Sequence, residues 1–68
     1  MTTTRDISGL GEDALAALRL EAFDLRDQGW EPDEVAEIME LNKWTIAGWL
    51  SWRAKGHYDL TTGRIIDA

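Results

Sequence analysis

The sequence predicts an all-α domain of three short helices with a short C-terminal extension. Three observations lead there. Apolar residues recur at three- and four-residue spacing in three separate segments. Gly29 and Gly56 stand where two of those segments stop, and Asn42 stands where the last one begins. The chain of 68 residues holds one domain at most, and 44% hydrophobic residues with four Trp is too much apolar surface for wholesale disorder.

The first helix opens at Glu12 and Asp13, whose charge suits the positive end of a helix dipole. Leu15, Leu18, Ala22 and Leu25 form one of its faces, and Gly29 supplies the left-handed residue that ends it. A second apolar stripe, Ala16, Leu20 and Phe23, runs along its far side. The second helix starts at Glu31-Pro32, because proline is tolerated in a first turn where its missing N–H would be unpaired anyway. Val35, Ala36 and Met39, with Ile38 beside them, form its inward side, and Asp33, Glu34, Glu37 and Glu40 its wet side. It lasts about two turns. Asn42 then caps a third helix, in which Ile46, Trp49, Leu50 and the aliphatic stem of Arg53 share an arc, and Gly56 closes it.

A short helix, a turn centred on Leu41-Asn42 and a longer helix with Ile46, Trp49 and Leu50 inward is the spacing of a helix-turn-helix. The expected organisation is an N-terminal arm over residues 1–11, the three-helix domain over 12–56 and a tail or small hairpin over 57–68. In the last segment, β-branched residues surround a Thr62-Gly63 turn, so Leu60, Ile65 and Ile66 could form a hairpin, an added strand or a docked tail.

The stretch from Gly29 to Leu50 resembles the homeodomain-like helix-turn-helix domain found at the N-terminus of insertion-sequence and mariner-like transposases and in paired-domain proteins. Gly29, the triplet Glu34-Val35-Ala36, and Thr45-Ile46 with Trp49-Leu50 match that family's positions without a gap. Leu18, Ala22 and Leu25 fall where the family places its helix-one core, so the likeness spans roughly residues 15 to 56. It implies a third helix over residues 43–55 that enters the major groove of double-stranded DNA. The corresponding contacts here are Lys43, Trp44, Ala47, Gly48, Ser51, Arg53 and Lys55, with the lysines and Arg53 toward phosphates and Trp44, Ala47 and Ser51 toward bases. Two departures stand out. The outer side of the third helix is poor in the Arg, Lys, Ser and Gln that crowd it in the family, and Glu40 occupies a turn position where relatives usually have Gly.

Net charge is −6, which as a single number opposes binding to a polyanion. Its distribution is uneven. Through Leu41 three basic residues face eleven acidic ones, a net of −8, whereas from Asn42 onward four basic residues face Asp59 and Asp67, a net of +2. An acidic proteome would also produce such acidic helices.

Catalysis lacks parts. His57 is the only imidazole, cysteine is absent, and the carboxylates Asp33, Glu34, Glu37 and Glu40 match no oxygen-ligand loop. The chain has no room for the separate catalytic domain of the transposases it resembles, so no enzyme, cofactor or metal is expected. No apolar run is long enough to cross a bilayer and Met1 to Thr4 leads into charged sequence, so a cytoplasmic, non-membrane protein is expected.

Trp44 admits three uses: satellite core beside Trp30 or Trp52, an interface knob next to Ala47, Gly48 and Ser51, or a contact to a thymine methyl or sugar. Two functions follow. One is a small DNA-binding regulator of transcription, carried by a phage or another mobile element and acting as a homodimer. The other is an acidic, non-DNA-binding interaction module whose protein interface uses Trp44 and the outer face of helix one at Ala16, Leu20 and Phe23. A dimer is expected because one small globule cannot hide both apolar faces of helix one. Arg64 could add a wing-like DNA contact.

With Trp49 and Ile46 as core, Trp49→Ala should cost about 3–5 kcal/mol by opening a cavity. A domain this small holds little more than that, so the variant should be unfolded by circular dichroism at room temperature. An unchanged melting temperature would show that the third helix is phased wrongly.

Overall fold

The computed structural model describes residues 7–66. It has three helices: α1 from Glu12 to Asp27, α2 from Pro32 to Met39 and α3 from Lys43 to Ala54. The first six residues of the expected N-terminal arm lie outside the described residues, as do Asp67 and Ala68. None of the three helices is long and apolar enough to cross a membrane.

All three helices end in the same way. The N–H of Gly29 donates to the Arg26 carbonyl (3.0 Å) and that of Trp30 to Leu25 (3.3 Å). Glu40 and Leu41 repeat this toward Glu37 and Ala36, and Gly56 and His57 toward Arg53 and Trp52. These paired bonds satisfy carbonyls that the last turn leaves without partners, and they require a left-handed residue at the junction. Gly29 and Gly56 supply it at no steric cost, with φ of 108° and 83°. His57 is thereby a capping residue whose ring rests 5.1 Å from that of Trp52.

The starts differ. At α3 the Asn42 side chain accepts from the Trp44 N–H at 2.7 Å. At α2 the Glu34 carboxylate reaches back to the Glu31 N–H at 3.0 Å, and Pro32 occupies the first turn. Gly11 precedes α1 with no side-chain cap.

Helix α2 packs mainly on α3, and both close onto α1. Their shared core contains Ala22, Phe23, Val35, Ala36, Met39, Leu41, Ile46 and Trp49, with Leu15, Leu18, Leu25 and Leu50 partly buried around it. Ile46 and Val35 are the largest side chains that are completely enclosed. Ile38, expected beside the inward side of α2, is instead half exposed, because it projects past the edge of that face.

The two stripes expected on α1 are the flanks of one wide buried arc. The deepest positions on α1 are Ala16, Arg19, Ala22 and Phe23, so Arg19 lies on the midline. Glu12, Arg19 and Arg26 recur at seven-residue spacing along that midline and divide the apolar pattern in two when read as hydropathy. Leu18 and Leu25 fall on one flank and Leu20 on the other.

Residues 57–66 are part of the fold. They form a small hairpin with one antiparallel bridge between Tyr58 and Ile65. It is closed by hydrogen bonds from the Asp59 N–H to the Arg64 carbonyl (2.9 Å) and from the Ile66 N–H to the His57 carbonyl (2.8 Å). Its turn lies directly on α1: a Cβ at Gly63 would meet the Ala16 carbonyl oxygen at 2.2 Å and Leu20 Cγ at 2.9 Å. Gly63 therefore cannot be replaced without moving the loop. Tyr58 enters the core, its ring 5.7 Å from that of Phe23. The cover over α1 is thus made by Tyr58 and Gly63, while Leu60, Ile65 and Ile66 remain largely exposed. Ala16 and Phe23, proposed from sequence as interface residues, are only 3% and 4% exposed and are closed by the chain itself.

Arg19 fastens this loop. It is 5% exposed, and its guanidinium donates to both oxygens of Glu12 at 3.0 Å and to the Gly63 carbonyl at 3.1 Å. It also lies 4.9 Å over the Tyr58 ring and 5.9 Å over that of Trp49. A buried guanidinium is costly unless paired, and here a two-point ion pair, a carbonyl and two aromatic faces offset much of the cost, although the buried Nε has no hydrogen-bond partner among the described residues.

The Arg19 hydrogen bonds hold the Glu12 carboxyl below its ordinary value of 4.5. A carboxylate with a lowered folded pKa contributes stability above its unfolded pKa, and that stability is lost as pH falls through the folded one. Glu12→Gln should therefore melt below the wild type at pH 7. The gap should narrow as the pH is lowered from about 4.5 toward 2, which thermal melts at several pH values would read. A gap constant across that range would mean that Glu12 is not ion-paired in the folded chain.

A candidate recognition surface on the third helix

The inward arc of α3 is fixed by Ile46, Trp49 and Leu50, so the opposite arc is determined by helical geometry. Lys43, Trp44, Ala47, Gly48, Ser51 and Lys55 all lie exposed on that outer side. Trp44 is 73% exposed and does not fold back onto Trp30 or Trp52, each of which is itself about half exposed. The Lys43 ammonium lies 5.3 Å from the Trp44 ring centroid.

Arg53 does not join this surface. Its stem packs inward as the sequence suggests, but its guanidinium follows onto α1, pairing with Asp27 at 3.1 Å and donating to the Phe23 carbonyl at 3.4 Å. It also stands 5.0 Å over the Phe23 ring. A head group held by a carboxylate, a carbonyl and a ring is not free to meet a phosphate, and it is removed from the set of DNA contacts. Arg64 is likewise engaged, with Asp13, and Arg26 donates to the Trp30 carbonyl at 3.3 Å. Lys43 and Lys55 are therefore the cations left for a ligand of α3 among the described residues.

Beside the outer side runs a shallow apolar groove of about 340 Å³ lined by Gly48, Trp49, Trp52, Tyr58 and Ile65. It exists because Gly48 has no side chain and lies one turn from both Trp44 and Trp52, while the hairpin raises Ile65 as the far wall. Sequence reasoning missed this groove. Its far wall depends on how residues 57–66 return to α3, which no local spacing encodes. Among the described residues no group of His, Cys, Asp or Glu comes together in a way that could hold a metal.

The surface has no carboxylate of its own. From Leu41 through Tyr58 the chain contains no Asp or Glu, although 13 are present in the whole sequence. The acids crowd α1 and the wet side of α2, with Glu40 at one border of the surface and Asp59 at the other. An anion approaching α3 meets a locally neutral to basic face on an otherwise repulsive molecule. No family model, curated protein or solved structure matches the chain.

The junction that sets α3 against α2 is strained. Glu40 adopts φ 58° and ψ 40°, the left-handed conformation that Gly29 and Gly56 occupy at the other two helix ends. A residue with a Cβ pays about 1 kcal/mol there. Glu40→Gly should accordingly stabilise the domain by about 1 kcal/mol, a rise of roughly 4–8 °C in melting temperature for a domain of this size. Calorimetry would check it, and a fall in Tm would show that Glu40's side chain contributes more than its backbone costs.

Proposed function

We propose that the chain is a small DNA-binding helix-turn-helix regulator that presents the outer side of α3 to the major groove of a duplex. The observation that carries this reading is the acid-free, uncovered face of α3 on a molecule that is acidic elsewhere. Charge placed in this way orients the protein on a polyanion, because every other approach is repelled. Lys43 and Lys55 stand at opposite ends of the helix and would meet phosphates, while Trp44, Ala47 and Ser51 would face the bases. Two lysines are a thin set of backbone contacts, and a homodimer on paired half-sites would double it. A source in a phage or mobile element fits the resemblance of residues 15 to 56 to transposase N-terminal domains.

The apolar groove, with the exposed Trp44 outside its lining, supports a second reading, an interaction module that docks a protein on Trp52, Ile65 and Trp44. Aromatic residues so exposed are enriched at protein interfaces. Ala16 and Phe23 no longer belong to this reading, since they are buried within the chain itself, whereas Leu20 stays half-buried beside the hairpin turn.

A salt titration on duplex DNA separates the two. With two lysine contacts per chain, log affinity should fall with log salt with a slope of roughly −2 per bound chain. Binding should be measurable at about 50 mM salt and fade near physiological salt unless the site is specific. Changing both Lys43 and Lys55 to Ala should abolish it while leaving the melting temperature nearly unchanged, because both side chains are exposed. An absence of duplex binding at about 50 mM salt across a random-sequence pool would overturn the regulator reading in favour of the interaction module.

A further inference from the structure

The outer side of α3 is short of the groups that read most bases. Guanine is read by Arg or Lys and adenine by Asn or Gln, each through two hydrogen bonds in the major groove. Between Asn42 and Lys55 the one amide is Asn42, whose side-chain oxygen is held by the Trp44 N–H at 2.7 Å. The one guanidinium is Arg53, held on α1 by Asp27 at 3.1 Å. Lys43 and Lys55 lie at the helix ends, where a duplex presents phosphates. What remains on the outer side between the two lysines is Trp44, Ala47, Gly48 and Ser51. These are two apolar groups, a bare backbone and one hydroxyl.

Gly48 adds an independent indication. A glycine inside an exposed helix weakens it relative to alanine, by loss of backbone entropy on folding. Here the fold gains nothing in return, since a Cβ at Gly48 would meet no atom of the chain within 4 Å. Space kept clear outside the chain suits a ligand that must come close to the helix backbone. The flanking lysines and the missing carboxylates fit that ligand to a polyanion.

Resting on the DNA-binding reading, we infer that α3 selects thymine-containing steps through apolar contact of Trp44 and Ala47 with the thymine C5 methyl groups. Gly48 lets the helix backbone descend to the base edges, and Ser51 adds a hydrogen bond that does not discriminate strongly between bases. Of the four bases only thymine offers a methyl group in the major groove, so an apolar recognition surface has one chemical target there.

The test uses duplexes selected by the whole chain from a random pool, resynthesised with deoxyuridine in place of thymidine. Uracil keeps every hydrogen-bonding group and loses only the methyl. Each buried methyl lost should weaken binding about fourfold. Trp44→Ala should bind both duplexes more weakly and show a smaller difference between them than the wild type, with the contact of Ala47 remaining. Gly48→Ala should melt several degrees higher than the wild type, through better helix propensity, yet bind the thymine duplex several-fold more weakly. That opposition of stability and binding cannot come from misfolding. Equal wild-type affinity for the two duplexes would overturn the methyl inference and leave the DNA-binding reading standing. Full affinity in Gly48→Ala would overturn the close approach of the backbone. No binding to either duplex at low salt would overturn the DNA-binding reading itself.

Discussion

Helix α1 carries apolar surface around a wide arc, and a chain of 68 residues has few elements with which to close it. Helices α2 and α3 cover one flank and the middle. The other flank falls to a ten-residue hairpin too short to bury much area of its own, seated instead by a charged residue at the centre of the arc. Arg19 joins the first turn of α1, through Glu12, to the turn of the hairpin, through the Gly63 carbonyl, and receives Tyr58 and Trp49 on its guanidinium. Removing one partner from such a group would leave the others desolvated and unpaired, so the cluster holds or fails as a unit.

That closure decides which surface is left for work. Once Tyr58 and Gly63 lie on α1, the faces that could have joined two chains through Ala16 and Phe23 are internal. Among the described residues the arginines that might have made the molecule adhesive to nucleic acid, Arg19, Arg26, Arg53 and Arg64, are engaged with carboxylates and carbonyls within the chain. The outer side of α3 escapes this because it carries no acid to attract an arginine and no long apolar side chain except Trp44. An uncovered aromatic, two terminal lysines and a central glycine are what the fold leaves outward.

Local order comes at different costs in the three helix ends. Gly29 and Gly56 meet the left-handed requirement freely, whereas Glu40 meets it with strain, at the turn that sets the angle between α2 and α3. Leu41, buried one residue later, pins the chain at this point and fixes Asn42 where its side chain can cap α3. Burial of Leu41, the backbone bonds of Glu40 and Leu41 to the last turn of α2 and the Asn42 cap accompany a backbone conformation that sequence preference alone would not choose.

The sequence by itself determined the three helices, their limits and most of the outer side of α3. Those features rest on interactions within four or five residues: the Asn42 cap, the glycines past α1 and α3, Pro32 in a first turn, and the spacing of Ile46, Trp49 and Leu50. Tertiary structure alone decided the role of Arg19, the destination of Arg53 and what covers the far flank of α1. A long side chain can point its head group in several directions at similar cost, and its choice depends on partners such as Gly63 and Phe23, 44 and 30 residues away. Hydropathy also treats an arginine as a break in an apolar stripe, so the broad arc of α1 read as two. The energy that turns a guanidinium into a core residue exists only once the carboxylate, the carbonyl and the aromatic rings have been brought to it.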